Sequence, residues 1–198
     1  MQEFDLIVIG SGSGLDVAKT GVKTDEKGYI ITDEYLETNI KDIYSLGDAV
    51  GHYLFKHAAN LEAEYVLNNL QHPKKKLPVD YKAMPHAIFT SPQIAGVGKT
   101  EQELKASEAH YLVGRYSYID TAMGDAIQDR TGFVKFLVDP HTNEILGCHI
   151  LGTEASILIH EVLVAMKSGN GSIDNITRTV HIHPALNEVV QRAAFNLQ

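Results

Sequence analysis

Runs of apolar residues predict strands in two parts of this chain. Residues 4–9 are apolar except at one position, which is typical of a strand buried on both faces. Residues 111–118, 133–139 and 145–151 have the length and the β-branched or aromatic content of further strands. The last two are joined by residues 139–143, a polar stretch that predicts a tight connection. The second half of the chain is therefore expected to contain a sheet.

Helical spacing of apolar residues accompanies these strands. Residues 154–166 carry an apolar face and end before Gly169, and glycine favours the end of a helix. Residues 100–106 have the pattern of a shorter helix. Strands combined with helices on one side imply an α+β layer. We therefore predict an α+β fold here, with a mainly antiparallel sheet and helices packed on it.

A third helix is predicted over residues 57–70 from a narrow apolar stripe. Ala58, Leu61 and Tyr65 trace one face of this helix. Two polar residues fall close to the same stripe, namely Glu62 and Asn69. The apolar stripe of this helix is therefore expected to be narrow.

The composition indicates a globular chain of one or two small domains. Apolar residues make up 44% and charged residues 21% of the 198 positions, which argues against disorder. The formal net charge of -8 disfavours nucleic acid and anionic membranes as partners. Residues 74–76 are the only basic run, and their position between two prolines predicts a solvated linker.

Nothing in the sequence pattern suggests a membrane protein. No apolar run is long enough to span a bilayer. The chain begins directly with a strand-like pattern, without a basic leader and a cleavage site. We therefore expect no membrane partner and a cytoplasmic location.

The clearest candidate chemistry lies in the sequence His-Ile-His-Pro-Ala-Leu-Asn-Glu at residues 181–188. Proline pushes the residue before it towards extended geometry, and proline itself suits the first turn of a helix. We therefore expect His183 just before a last helix that runs from Ala185 to about Leu197. Glu188 lies one turn further along, where its carboxylate can reach back to the imidazole. A histidine oriented by a carboxylate is a minimal general acid–base unit.

Two other interpretations of the histidines are open. His183 can be a residue that merely precedes a helix, with Glu188 solvated. A metal site is the other, because the chain has ten histidines. However, His181 and His183 share a side only in a strand, and His160 has no second histidine four residues later. We therefore expect no metal site.

Several segments, in the same order along the chain, resemble the pyridine nucleotide–disulfide oxidoreductases. That family includes dihydrolipoamide dehydrogenase, glutathione reductase, mercuric reductase and mycothione reductase. The matching sequences lie at residues 38–40, 43–48, 84–98, 132–135, 145–152 and 181–188. Several matches in the family's order are far more specific than any single motif.

The resemblance implies two parts with different roles. Residues 15–78 would be the last part of an α/β flavin-binding domain, and residues 79–198 an interface domain that forms a homodimer. His183 would act as the acid–base for thiol–disulfide exchange at the partner subunit's flavin and disulfide, and Glu188 would orient it. The cofactors implied for the parent enzyme are FAD and either NAD or NADP.

The resemblance also assigns residues to flavin contact. Asp48 would hydrogen-bond the ribityl chain of the flavin, and a turn-forming role beside Gly47 is the alternative. The N-terminus of the helix at Lys56 and His57 would point at the pyrimidine carbonyl of the flavin. The helix dipole would there stabilise the negative charge that builds up on reduction. The side chain of His57 need not take part.

A glycine-rich turn follows the first predicted strand and consists of Gly10, Gly12 and Gly14 with two serines. Glycines at this place let the backbone approach a pyrophosphate. The usual third glycine position of the dinucleotide-binding pattern is Leu15. The sequence from Leu15 onwards resembles what the family has after its nicotinamide domain. We therefore infer a junction here, with residues 1–14 as the first strand and turn of the flavin-binding domain.

The chain has a single cysteine, Cys148, within an apolar strand-like run. It is expected to be a small buried residue, because a lone cysteine cannot form an internal disulfide. The family resembled here depends on a redox-active pair of cysteines separated by four residues. We therefore expect this chain to be inactive alone and to hold little or no FAD.

Two classes of function follow from the sequence. The first is a fragment of a flavoenzyme, most similar to dihydrolipoamide dehydrogenase, whose parent acts on a small dithiol, a disulfide or a lipoyl domain. A mycothione or mercuric reductase-like subtype is the alternative within this class. The second is a non-catalytic homodimerisation module. Weak flavin affinity would favour the first, and a colourless dimer would favour the second.

Overall fold

The computed structural model describes residues 16–198 of the chain. These residues divide into two compact units, the first ending at Asp80 and the second running from Tyr81 to Gln198. Four sequence predictions fall outside the described residues, namely the strand over residues 4–9 and the glycines Gly10, Gly12 and Gly14.

Between residues 16 and 55 the structure has turns and single bridges rather than long strands. Three isolated antiparallel bridges pair Thr24 with Ile30, Thr32 with Thr38, and Glu37 with Tyr44. The sequence of residues 44–46 predicts a short strand that ends at Gly47 and Asp48. This prediction is wrong, because in that segment only Tyr44 forms a bridge and no strand is present. The chain then enters a 3-10 helix, Gly47–Ala49. Gly47 has a φ of 69°, a left-handed conformation that glycine adopts without steric cost.

The described part of the first unit contains one long helix, α1 (Lys56–Gln71), which confirms the predicted helix and adds a residue at each end. Its buried face differs from the predicted stripe. The buried side chains are those of Ala58, Glu62, Val66 and Asn69. Leu61 and Tyr65 are only half-buried. The face that packs inwards is therefore partly polar.

Both buried polar residues of α1 have backbone partners. The Gly47 N–H donates a hydrogen bond of 2.5 Å to Glu62 Oε2. The side chain of Asn69 donates to the Leu77 carbonyl at 2.9 Å and accepts from the Leu77 N–H at 2.8 Å. Burial of a polar group with such partners costs little free energy. Hydrogen bonds therefore take the place of apolar contacts at these two positions of the buried face.

The basic run at residues 74–76 is not wholly a solvated linker. Lys76 Nζ forms an ion pair with the carboxylate of Glu37 and lies 5.9 Å and 5.4 Å from the ring centroids of Tyr35 and Tyr44. Hydrogen bonds from Lys76 and from the Asp42 N–H lower the pKa of Glu37. The last lysine of the run therefore binds the end of the first unit to residues 35–44.

A five-stranded antiparallel sheet forms the centre of the second unit. Its strands are β1 (Pro85–Ile88), β2 (Gln93–Gly98), β3 (Leu112–Ser117), β4 (Phe133–Val138) and β5 (Ile145–Gly152). The strand order across the sheet is β1-β2-β5-β4-β3. The structure confirms the α+β fold with a mainly antiparallel sheet and the three predicted strands, and it adds β1 and β2.

Five helices accompany the sheet. They are α2 (Glu101–Ala106), α3 (Ala122–Ala126), α4 (Ala155–Lys167), α5 (Asp174–Thr177) and α6 (Glu188–Phe195). α2 and α4 confirm two predicted helices within a residue at each end. The core lies where α4 and α6 pack on one face of the sheet. No helix in residues 16–198 is long and apolar enough to cross a membrane.

Tyr118 fills a tight place at the edge of this core. Its side chain is fully buried, and its hydroxyl donates to the carbonyl of Thr153 at 3.1 Å. A Cβ on Gly132 or on Gly152 would lie 2.8 Å from the ring, closer than real contacts allow. Only glycine at these two positions leaves enough room for the aromatic ring.

The last helix is shorter than predicted. α6 begins at Glu188 rather than Ala185. The carbonyls of residues 185–187 accept hydrogen bonds from the N–H groups three residues later, a pattern typical of tight turns. It ends at Phe195, and Gln198 then exchanges two backbone hydrogen bonds with Val113 of β3. Pairing with the edge strand therefore replaces the last two residues of the predicted helix.

Candidate acid–base site

His183 and Glu188 are in direct contact. The Nδ1–H of His183 donates to Glu188 Oε1 at 2.9 Å, and the backbone N–H of Ala185 donates to Glu188 Oε2 at 3.2 Å. The carboxylate is therefore held from two sides, and it fixes the histidine as the tautomer with its proton on Nδ1. The lone pair of the neutral ring is then on Nε2.

The two side chains differ sharply in exposure. The Glu188 side chain is 10% exposed, whereas the His183 side chain is 70% exposed. Within the described residues, Nε2 of His183 has no hydrogen-bond partner. The hydrogen bond from His183 and that from the Ala185 N–H lower the pKa of Glu188 against the effect of burial. An ionised carboxylate therefore orients a ring whose other nitrogen faces outwards.

The start of α6 explains why Glu188 is well placed. Glu188 is the first residue of the helix, and the next two residues, Val189 and Val190, are fully buried in the core. Burial of these neighbours sets the rotation of the helix about its axis. The Glu188 carboxylate then points back over the preceding turn towards His183, as residues at a helix N-terminus commonly do.

Asp48 lines a small cleft in the first unit. The cleft has a volume of about 290 Å³ and is lined by Val17, Lys27, Gly28, Tyr29, Ile30, Asp48 and Ala49. Asp48 directly follows Gly47, whose N–H is bound by the carboxylate of Glu62. Sequence reasoning missed Glu62, and the only signal was a polar residue beside an apolar stripe.

The structure does not bring Lys56 and His57 together with Asp48 in this cleft. They are the first two residues of α1, as predicted, but neither lines the cleft. Lys56 Nζ donates to Asn60 Oδ1 one turn further along the helix. The ring of His57 stacks on that of Phe55 with centroids 5.2 Å apart.

Cys148 lies in β5 and is fully buried. Burial, and secondly the charge of Glu161, raise the pKa of its thiol well above the ordinary value, so it has little thiolate character. Among residues 16–198, no group of three or more His, Cys, Asp or Glu side chains is arranged to hold a metal ion.

Two protein-family models match this sequence. The model of the pyridine nucleotide-disulphide oxidoreductase dimerisation domain matches residues 84–194. A second model, described as pyridine nucleotide-disulphide oxidoreductase, matches residues 2–64. The chain therefore belongs to the pyridine nucleotide-disulphide oxidoreductase family.

Relatives of known name support the same family. The chain is 33% identical to a mitochondrial dihydrolipoyl dehydrogenase of Pisum sativum over 97% of this chain and 39% of that protein. It is 33% identical to a leghemoglobin reductase of Glycine max over 97% of this chain and 37% of that protein. A mycothione reductase of Mycobacterium tuberculosis is 36% identical over 98% of this chain and 44% of that protein. The chain thus spans less than half the length of these relatives.

Solved structures share the fold. LpdA from Mycobacterium tuberculosis superposes with a TM-score of 0.83, covering 94% of this chain and 40% of that chain at 22% identity. The HOCl-induced flavoprotein disulfide reductase RclA from Escherichia coli superposes with a TM-score of 0.80. The superposition covers 95% of this chain and 42% of that chain, at 21% identity. At this level of identity the superpositions define the fold alone.

Proposed function

We propose that this chain is a segment of an FAD-dependent, NAD(P)-linked disulfide oxidoreductase, similar to dihydrolipoamide dehydrogenase. The observation that carries the proposal is the hydrogen bond between His183 and the ionised Glu188, which leaves Nε2 of His183 facing outwards. This is the arrangement required of a general acid–base group. Its place near the end of the dimerisation domain agrees with the family.

The chemistry proposed for the dyad is proton transfer during thiol–disulfide exchange. Nε2 of His183 accepts the proton of a substrate thiol, so that the thiolate can attack a disulfide. Glu188 keeps Nδ1 protonated and stabilises the imidazolium that forms. In the reverse direction the same imidazolium returns the proton to the departing thiolate.

The described residues of the first unit fit only part of a flavin. A cleft of about 290 Å³ lies at the lower limit of ligand pockets, which are usually about 300–1,000 Å³. Asp48 and the backbone around Gly28 would contact a polar part of FAD, which supplies hydride and electron transfer when it is bound. Because the described cleft covers so little, we propose weak or no FAD binding by this chain.

The chain alone is proposed to be inactive in disulfide chemistry. Its single cysteine is buried, protonated and without a second cysteine, so this chain cannot form the dithiol pair that the family uses. The nicotinamide cofactor would bind elsewhere in the parent enzyme.

A homodimer formed through the second unit is part of the proposal. Helix α4 exposes 63% of Ile157 and 67% of Val164, which lie two turns apart on one face. Val180 and Ile182, in the segment before the dyad, are 94% and 76% exposed. Large apolar side chains that are this exposed favour a protein partner over solvent. These residues also favour the second candidate function, a non-catalytic homodimerisation module.

The substrate is proposed to be a small dithiol or disulfide, or a lipoyl domain. A dihydrolipoyl dehydrogenase and a mycothione reductase have similar identity to this chain, at 33% and 36%.

A chimera tests the proposal. Residues 81–198 form a compact unit and can replace the corresponding domain of a dihydrolipoyl dehydrogenase such as that of Pisum sativum. If the unit carries the acid–base dyad, the purified chimera should contain FAD, be dimeric and oxidise dihydrolipoamide. A folded, dimeric, FAD-loaded chimera without turnover would contradict the oxidoreductase proposal and favour the dimerisation module.

A further inference from the structure

A second histidine–glutamate pair lies two residues before the first. Nε2 of His181 is 2.5 Å from Glu161 Oε1, and Nδ1 of the same ring is 3.0 Å from the backbone carbonyl oxygen of Thr179. Unlike His183, the side chain of His181 is only 2% exposed. Its contact with Glu161 joins the segment before α6 to helix α4.

Both ring nitrogens of His181 are engaged. Nδ1 contacts the Thr179 carbonyl oxygen and Nε2 contacts the Glu161 carboxyl group. A carbonyl oxygen can only accept a hydrogen bond, so Nδ1 of His181 carries a proton in this contact. The ring is therefore held at both of its nitrogens, one by its own segment and one by helix α4.

The surrounding segment depends on this contact. Val180, Ile182 and His183 are all largely exposed, so between residues 180 and 183 only the side chain of His181 points into the protein. Thr179 is held separately, since its Oγ1 donates to the Asn175 carbonyl and its own carbonyl accepts from the Gln191 side chain. Between Thr179 and the dyad, His181 is thus the one buried side-chain anchor.

We propose that His181 and Glu161 are positioning residues for His183. The carboxylate of Glu161 holds the backbone of His181 against α4, while Glu188 on α6 holds the ring of His183. The position of His183 is thereby fixed by α4, through His181, as well as by α6, through Glu188. This inference rests on the proposed function, because it concerns the same site.

Helix α4 gives the arrangement a further consequence. Glu161 lies on the helix that exposes Ile157 and Val164, the apolar residues proposed to meet a second subunit. Anchoring the His183 segment to α4 therefore fixes the dyad relative to that surface. Two titratable groups from other elements lie near Glu161. They are the ring of His181, in the segment before α6, and the buried thiol of Cys148 in β5.

The test is NMR of the histidine ring protons in the 198-residue chain. The Nδ1 proton of His183 is held by Glu188, and its exchange with water is the quantity measured. Glu161→Gln replaces the carboxyl group that contacts Nε2 of His181 by an amide. Exchange of the His183 Nδ1 proton with water should then rise about tenfold or more, the scale of a lost charge-assisted hydrogen bond.

Matched variants separate positioning from general destabilisation. Glu101→Gln makes the same change in the same unit and removes the ion pairs with Lys105 and Lys135, so it should leave His183 exchange unchanged. Glu161→Asp keeps the charge and should restore part of the protection. His181→Gln, a second route to the same loss, should raise the exchange as Glu161→Gln does.

Two results would overturn the inference. The first is an equal rise of His183 Nδ1 proton exchange in Glu101→Gln, which would show general destabilisation of the unit rather than loss of positioning. The second is unchanged exchange of the His183 Nδ1 proton in both Glu161→Gln and His181→Gln. Neither measurement uses FAD or turnover, so an inactive chimera would count against the proposed function without affecting this result.

Discussion

Glu188 Oε1 lies 2.9 Å from Nδ1 of His183, while the other oxygen of the same carboxylate accepts the N–H of Ala185. One buried side chain therefore orients both the imidazole and the turn that carries it. Because Glu188 is 10% exposed and His183 is 70% exposed, the pair has a fixed inner half and an open outer half. An acid–base group must combine these two properties, since its ring has to be oriented and still reach a substrate.

Replacement of Glu188 should change how stability depends on pH. Its pKa is lowered in the folded chain, first by the hydrogen bond from His183, so the ionised carboxylate stabilises the fold above its ordinary pKa of about 4.3. This contribution is lost as the pH falls through the lowered folded value. Glu188→Gln should therefore lower the free energy of unfolding by about 1 kcal/mol at neutral pH, and less in acid.

Urea unfolding of both chains at several pH values measures this difference. The two curves should converge as the solution becomes acidic, because the wild-type carboxylate is then protonated as well. A difference that stays constant from neutral to acidic pH would show that the loss comes from packing rather than from charge.

Glu101 should titrate at unusually low pH. Lys105 and Lys135 both bind its carboxylate and hold its pKa at about 2. The lowered value means that its charge stabilises the fold above about pH 4.3 and that this contribution disappears as the pH falls through about 2. Carbon-13 NMR of the carboxylate should show the low midpoint, and Lys135→Gln should raise it. An ordinary midpoint in the wild-type chain would disprove the double ion pair.

The outer face of α4 should control association. Ile157→Glu combined with Val164→Glu places two like charges in an exposed apolar surface, so the chain should become monomeric while its circular dichroism is retained. Light scattering at micromolar concentration measures the mass. Ile127→Glu, which changes a 42% exposed residue elsewhere in the unit, should leave the dimer intact. Equal dissociation by both variants would argue against α4 as the interface.

Removal of one buried hydroxyl should have a measurable cost. Tyr118→Phe takes away the hydrogen bond to the Thr153 carbonyl within a closely packed site, and should lower the free energy of unfolding by about 1 kcal/mol. Tyr116→Phe removes a longer hydrogen bond, 3.3 Å to the Asp120 carbonyl at a less buried ring, and should cost much less. Equal losses in urea unfolding would mean that burial of the hydroxyl does not matter here.

Sequence reasoning succeeded where the signal is local. β4, β5 and α4 follow from apolar runs in neighbouring residues, and the contact of His183 with Glu188 joins residues five positions apart. Spacing along the chain suffices for such contacts, because both partners belong to one turn and the start of one helix.

Contacts between distant residues could not be predicted in the same way. The buried face of α1 depends on Glu62 reaching Gly47 and on Asn69 reaching Leu77, partners outside the helix that no periodicity of α1 contains. α6 ends two residues earlier than predicted because Gln198 pairs with the edge of the sheet. Glu161 escaped notice as a partner of the C-terminal segment for the same reason, since twenty residues separate it from His181.

The most direct test of the central claim is the turnover number of the chimera that carries residues 81–198, measured with His183→Ala. If His183 is the acid–base group, its loss should lower kcat by about 10²-fold or more, the usual scale for such a group. FAD content and dimerisation should not change, because His183 is an exposed side chain outside the core.

His141→Ala provides the matched control, since His141 is an exposed histidine in the turn between β4 and β5. The account predicts full turnover for His141→Ala and a loss of about two orders of magnitude for His183→Ala in the same chimera. Equal turnover of the two variants, with equal FAD content, would contradict the assignment of His183 and Glu188 as the acid–base dyad.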